Sequence, residues 1–159
     1  MHHRNRRLYK WCHIVHHEFS SPSAWSTEYL HPWELLCVGV YNGVLPQLFG
    51  AHWLTAMGLS FFNIYMSVLA HCGYDLPIDM NHILPGIIGG CRKHDMHHMK
   101  PYTNFQPFFQ IWDSLLGSEC PGLLPQNEKP KELIEWEKKR EAKASEWFVN
   151  FPERPIEKD

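Results

Sequence analysis

The chain has 159 residues, of which 44% are hydrophobic and 20% are charged, a mixture that suits one globular or partly membrane-embedded domain. Its formal net charge of −2 at pH 7 gives no general reason to expect nucleic acid as a partner. The five cysteines form no C-x-x-C pair, so we interpret them as free thiols. The 12 histidines are clustered, and histidine is the commonest metal ligand among side chains.

The first half of the sequence predicts an N-terminal helix followed by an apolar hairpin. Residues 1–19 are expected to form a helix with a histidine-bearing polar face, ended by the Ser/Pro run at 20–23. Residues 53–70 carry no Asp, Glu, Lys or Arg and are long enough for a bilayer span. Residues 35–49 are apolar but shorter, so the two segments could enter the bilayer and return as a hairpin. The alternative is a pair of buried helices in a soluble protein.

The second half of the sequence predicts shorter helices separated by loops. Residues 71–92 are rich in glycine and proline, which indicates a loop or a short broken helix. Helical character returns at 94–100, and an aromatic amphipathic segment over 105–116 ends at Gly117, a predicted C-cap. A linker then leads to a charged helix over 131–148, which we expect to be exposed to solvent.

The pattern H-x-x-H-H occurs twice, at His13-Ile14-Val15-His16-His17 and at His94-Asp95-Met96-His97-His98. Positions i, i+3 and i+4 share one face of an α-helix, so each motif should present three imidazoles to one side. Two such helices facing each other would offer six nitrogen ligands, which is enough for two metal ions.

The ligand type narrows the choice of metal without fixing it. Imidazole suits Zn, Cu, Fe and Ni. The sequence has no cysteine pairing for a structural zinc site, and the pair of Glu-x-x-His motifs on bundle helices that marks carboxylate di-iron proteins is missing as well. An all-nitrogen site for two metals beside a membrane points to oxygen chemistry on an unactivated C–H bond, with two zinc ions as the alternative.

The residues around these motifs resemble the fatty acid hydroxylase / sterol desaturase superfamily from residue 2 to about residue 117. Within it, the likeness is greatest to cholesterol 25-hydroxylases and C-4 methylsterol oxidases. Residues 8–19 resemble the second histidine box of the family, and residues 89–98 resemble the third. Three shorter segments are also similar to family segments: EYLHPWE at 28–34, AHCGYDLP at 70–77, and the closing N-[FY]…WD-x-x-x-G segment at 104–117.

The resemblance implies an all-α, membrane-associated helical bundle with a di-metal site built from histidine boxes. It implies a catalytic core at 1–120, without the family's upstream transmembrane helices, and a linker with a charged C-terminal helix and tail at 121–159. The implied metal ligands are His2, His13, His16, His17, His71, His94, His97 and His98. Three more residues could bind metal or orient a ligand: Asp75, His82 and His31.

Two other histidines receive structural roles. His3 is expected to be exposed to solvent, and His52 to lie at a helix start. The family's first box is H-x-x-x-H, and His2 takes the place of its second histidine. The first histidine of that box would precede Met1, so the resemblance predicts an N-terminally truncated family member.

The resemblance further implies a membrane di-iron monooxygenase that hydroxylates a lipid in the endoplasmic reticulum. A sterol is the favoured substrate, because residues 71–75 resemble the sterol-oxidising branches. Electrons would come from NAD(P)H through cytochrome b5 and its reductase, since the chain has no nucleotide-binding fingerprint. No catalytic residue is expected beyond the metal ligands. The alternatives are a fatty acid or sphingolipid hydroxylase of the same superfamily, a non-catalytic truncated metal-binding membrane fragment, and a soluble zinc protein.

Overall fold

The computed structural model describes residues 3, 5–77, 79–122 and 129–141, and within these ranges the chain is helical. The β-structure recorded there is an isolated bridge between Ile88 and Phe109. The all-α prediction is therefore confirmed for the described part of the chain. The α-helices are α1 (Arg6–Leu8), α2 (Pro32–Gly39), α3 (Leu45–Leu48), α4 (Trp53–His71), α5 (Met80–Ile83), α6 (Cys91–Met99), α7 (Ile111–Leu116) and α8 (Lys131–Glu141).

The N-terminal segment is helical, as predicted, but it is not a regular α-helix. Helix α1 continues into a π-helix at Tyr9–His13, and a 3₁₀ turn follows at His16–Glu18. Asn5 caps the segment, because its side chain accepts hydrogen bonds from the backbone N–H groups of Arg7 and Leu8. The first histidine motif therefore begins on a π-helix, which is wider than the predicted α-helix, and ends on a 3₁₀ turn, which is tighter.

The predicted apolar hairpin is present. Helix α2, a π-helix at Val40–Val44 and α3 follow one another without a break, and Gly50, at φ 76°, lies in the turn before α4. His52 caps α4 by accepting from the N–H of Leu54 at 3.3 Å, as its predicted position at a helix start requires. Helix α4 contacts both the π-helix and α3, so the two arms pack against each other.

Helix α4 is long and apolar enough to cross a membrane, by its length and composition. Its 19 residues extend for about 28 Å at the rise of an α-helix, close to the ~30 Å hydrocarbon core of a bilayer. Only 17% of its most apolar stretch is buried, and the side chains of Phe61 and Tyr65 are 66% and 59% exposed. The helix therefore presents most of its apolar side chains outward, unlike the central helix of a soluble domain.

The aromatic segment predicted at 105–116 is an α-helix only in its second half. Helix α7 begins only at Ile111, because the carboxylate of Asp113 accepts from the N–H groups of Phe105 and Gln106 and holds the preceding residues in a loop. The helix ends at Gly117, whose left-handed φ of 66° confirms the predicted C-cap. The glycine- and proline-rich stretch at 71–92 contains a short helix, α5, which agrees with the predicted loop or short broken helix.

The charged helix α8 exposes its charged face to solvent, as predicted, and packs an apolar edge on the core, which the sequence did not predict. Leu133 is fully buried against Met96 and Cys120. Trp136 packs beside them and donates from Nε1 to the carbonyl of Glu119 at 2.7 Å. Leu133 and Trp136 lie three positions apart and so share one face of the helix. The many charged residues around them hide this apolar face in the sequence. Residues 142–148 of the predicted helix lie outside the described residues.

Candidate metal centre

Eight histidine side chains converge in two groups of four. The first group contains His3, His13, His17 and His97; the second contains His16, His71, His94 and His98. In each group the candidate ligand atoms all lie within 4.8 Å of one another. Each H-x-x-H-H motif contributes to both groups, so the two motifs face each other as the sequence predicts.

Local helix geometry explains how each motif is divided. In the regular helix α6, His94 and His98 point to the second group and His97 to the first. The first motif lies on the π-helix and the following turn, which direct His13 and His17 to the first group and His16 to the second. His71 joins the second group from the C-terminal end of α4.

The Nε2 atoms within each group lie close enough together to bind one metal ion. His13 and His3 bring their Nε2 atoms to 2.8 Å, and His71 brings its Nε2 to 3.2 Å from that of His16 and 3.0 Å from that of His94. Two imidazoles bound at about 2.1 Å to one ion, at angles between 90° and 109°, place their nitrogens about 3.0–3.4 Å apart. The two distances in the second group lie in the range expected for metal coordination, and the distance between His3 and His13 is 0.2 Å below it.

Four of the rings are oriented by the main chain. Nδ1 of His16 lies 3.3 Å from the carbonyl oxygen of Tyr29, and Nδ1 of His71 lies 2.7 Å from that of Ser67. Nδ1 of His97 lies 2.6 Å from the carbonyl oxygen of Thr103, and Nδ1 of His98 lies 3.0 Å from that of Phe19. A carbonyl only accepts, so Nδ1 carries the proton and Nε2 keeps its lone pair. This bond is the usual way in which a protein fixes the tautomer of a metal-binding histidine.

A buried carboxylate orients a fifth ring. Glu34, on α2, is 5% exposed and its Oε1 accepts from Nδ1 of His13. A carboxylate behind a histidine raises the basicity of the ligand and fixes its ring. Glu34 belongs to the EYLHPWE segment, but the sequence predicts no role for it, because the contact joins residues 21 positions apart.

Several ring nitrogens are buried without a protein partner in the described part of the chain. Both nitrogens of His17, Nε2 of His98 and Nδ1 of His94 are of this kind. Each unsatisfied buried polar atom costs about 1–3 kcal/mol, and such atoms are uncommon in folded proteins. A cation bound within the groups would satisfy the nitrogens that face it, so the donor set fits a metal.

Burial keeps these rings neutral. Desolvation, with a smaller effect from the charge of His71, lowers the pKa of His16 to about 4. Desolvation likewise lowers the pKa of His97 to about 3 and the pKa values of His17 and His98 well below the ordinary 6.5. Metal ligands must be unprotonated, so these four rings can bind a cation at neutral pH.

His3 is placed differently from the sequence prediction. It is half-buried in the first group, with its ring centroid 4.4 Å from that of His97, although the sequence suggested a solvent-exposed residue. His2, the predicted ligand next to it, lies outside the described residues.

The three residues predicted as possible ligands or orienting groups lie outside both groups. Asp75 accepts from His82 at 2.9 Å and lies 3.6 Å from Arg92, in the loop after α4. His31 caps α2 instead, accepting from the N–H of Trp33 at 3.2 Å.

Comparisons with known proteins agree with this geometry. The family model for fatty acid hydroxylases matches residues 1–118. "Cholesterol 25-hydroxylase-like protein 1, member 2" of Danio rerio is 43% identical over 121 residues, 76% of this chain and 44% of that protein. The "Cholesterol 25-hydroxylase-like protein" of Caenorhabditis elegans is 43% identical over 115 residues, 72% of this chain and 38% of that protein.

A human relative belongs to the same set. "Cholesterol 25-hydroxylase" of Homo sapiens is 39% identical over 119 residues, 74% of this chain and 44% of that protein. The chain thus spans less than half the length of these curated relatives. No solved structure matches. The family resemblance expected from the motifs is confirmed, and the chain belongs to the fatty acid hydroxylase family.

Proposed function

We propose that this chain forms the metal-binding core of a membrane-bound di-iron monooxygenase that hydroxylates a lipid, with a sterol as the favoured substrate. The observation that carries the proposal is the pair of four-histidine groups, each assembled from both motifs. A cavity lined by six of these histidines and by the apolar hairpin lies beside them. The printed names of the relatives, cholesterol 25-hydroxylase and its like, favour a sterol over a fatty acid or sphingolipid.

Two iron ions are the proposed cofactors, one for each group. Bound iron would supply the redox chemistry that activates O₂ and oxidises a C–H bond, which zinc, having no redox chemistry, does not supply. The protein contributes ligation, orientation and a dry cavity. Nδ1 bonds to the main chain and to Glu34 hold the rings, and burial keeps the Nε2 lone pairs of His16 and His97 unprotonated.

The membrane and the electron donors are further parts of the proposal. The exposed apolar face of α4 supports a position of the hairpin in the bilayer, and from there a lipid would reach the cavity out of the hydrocarbon phase. Cytochrome b5 and its reductase are the proposed donors, and the endoplasmic reticulum the proposed location. Arg6, Arg7 and Lys10 are exposed near the histidine groups, where they could meet acidic headgroups or an acidic donor surface.

The test uses the full chain in microsomes that contain cytochrome b5, its reductase and NADPH. We expect two iron ions per chain and a hydroxylated sterol, detected by mass spectrometry. His97→Ala should lose metal and turnover while keeping its helix content, and His52→Ala, which removes a histidine outside both groups, should keep both.

Three outcomes would change the proposal. Full activity of His97→Ala would refute the assignment of the metal centre. One ion or none per chain would favour the non-catalytic, metal-binding fragment. A hydroxylated fatty acid or sphingolipid, without a sterol product, would keep the hydroxylase and replace its substrate.

A further inference from the structure

A cavity of about 350 Å³ connects the interior of the apolar hairpin with the histidine groups. Along α4 it is lined by Asn63, Ile64, Ser67 and His71. These residues follow one another at helical spacing and so form a stripe that leads to the second histidine group. The volume lies within the usual range for small-molecule sites, so a ligand in this cavity would extend along α4 towards the metal centre.

The far end of the cavity holds a pair of asparagines, one on each arm of the hairpin. Asn63 donates from Nδ2 to Oδ1 of Asn42 at 2.8 Å, and both side chains are half-buried. Polar side chains within a membrane span are costly and usually face an interior or a functional cavity. The hairpin has a second polar contact between its arms, from Ser60 Oγ to the carbonyl of Asn42 at 3.4 Å, and Ser60 does not line the cavity.

The backbone around Asn42 is a second, independent sign of function. Asn42 lies at the centre of the π-helix at Val40–Val44, and both Tyr41 and Asn42 line the cavity. Single-turn π-helices are rare within α-helices and occur frequently at functional sites. The wider turn changes the direction of the side chains it carries, and here it brings an amide into an otherwise apolar arm.

We propose that Asn42 and Asn63 form a subsite for the hydroxyl group of an amphipathic lipid alcohol; this inference rests on the hydroxylase function proposed above. Within the described ranges, Asn42 Nδ2 and Asn63 Oδ1 make no hydrogen bond to another protein group. A hydroxyl both accepts and donates. It can therefore accept from Asn42 Nδ2 and donate to Asn63 Oδ1 without breaking the bond between the two asparagines.

The position of the pair predicts where such a substrate is oxidised. Asn63 precedes His71 by eight residues on α4, which corresponds to about 12 Å along the helix axis. An extended chain advances about 1.2 Å per bond, so on the order of ten bonds separate the bound hydroxyl from the carbon that reaches the histidines. The subsite thus selects an alcohol that is oxidised at its remote end rather than beside the hydroxyl.

Binding to the purified full chain in detergent tests this subsite without requiring turnover. The probes are cholesterol and the same hydrocarbon with hydrogen in place of the hydroxyl, each competing with radiolabelled cholesterol. Two hydrogen bonds of ordinary net strength correspond to about a tenfold preference for the alcohol. We expect that preference in the wild type and in Ser60→Ala, which removes the neighbouring contact between the arms. It should be lost in Asn42→Leu/Asn63→Leu, because replacing both partners by apolar groups keeps the arms packed.

Equal binding of both probes by the wild type would overturn the subsite, as would an unchanged preference in the double variant. The product from the iron-loaded chain tests the distance argument separately: oxidation at the remote end supports it, and oxidation beside the hydroxyl overturns it. A tenfold preference without any product would leave the subsite standing and remove the proposed activity. A product formed equally well from both probes would support the proposed activity and overturn the subsite.

Discussion

The hydrogen bond between Glu34 and His13 offers a direct test of the metal centre. Glu34 is buried and its carboxylate accepts from Nδ1 of His13, a member of the first histidine group. Removing such a partner typically lowers metal affinity 10- to 100-fold, which is about 1.4–2.7 kcal/mol. Glu34→Ala should therefore release one ion at chelator concentrations at which the wild type retains both.

The assay is a titration of the iron-loaded chain with a competing chelator, with metal content measured at each step. Asp75→Ala is the matched control, because Asp75 also pairs with a histidine, His82, but lies outside both groups. That variant should retain both ions like the wild type. If Glu34→Ala also retained both ions with unchanged affinity, the role of Glu34 and the assignment of His13 as a ligand would be refuted.

Two further predictions concern stability. Burial lowers the pKa of His16 from 6.5 to about 4 and that of His97 to about 3. The unfolded chain therefore takes up protons that the metal-free folded chain does not, so stability is retained above pH 6.5 and falls as the pH drops towards 4. A melting temperature that stays constant over this interval would contradict the neutral, buried histidines. Leu133→Ala should lower the free energy of unfolding by about 2–5 kcal/mol, because Leu133 is fully buried, while Ile134→Ala at a 40% exposed position should cost about 1 kcal/mol or less. Denaturant unfolding of both variants checks this, and equal losses would show that α8 does not pack on the core.

The sequence predicted the parts of the fold that depend on local spacing. The i, i+3, i+4 pattern of His94, His97 and His98 was sufficient to place three rings on one side of a helix. The uncharged stretch at 53–70 predicted the long arm of the hairpin, and Gly117 predicted the end of α7 because its left-handed conformation has a local cause.

The remaining features depend on contacts between distant residues. Whether His16 joins His13 or His94 is decided by the π-helix before it and by the approach of α4, neither of which leaves a pattern in the sequence. Glu34 reaches His13 across 21 positions. The burial of Leu133 requires α8 to fold back over Met96, and its charged neighbours give the opposite impression.

Four of the histidine rings take their orientation from carbonyl groups at residues 19, 29, 67 and 103. Every amino acid supplies the same carbonyl, so the side chains at these positions can change without disturbing the rings. Glu34 is different, because its contribution comes from the side chain itself. Sequence change at these four positions, including Ser67 in the cavity wall, can therefore leave the ring orientations intact, whereas change at Glu34 cannot.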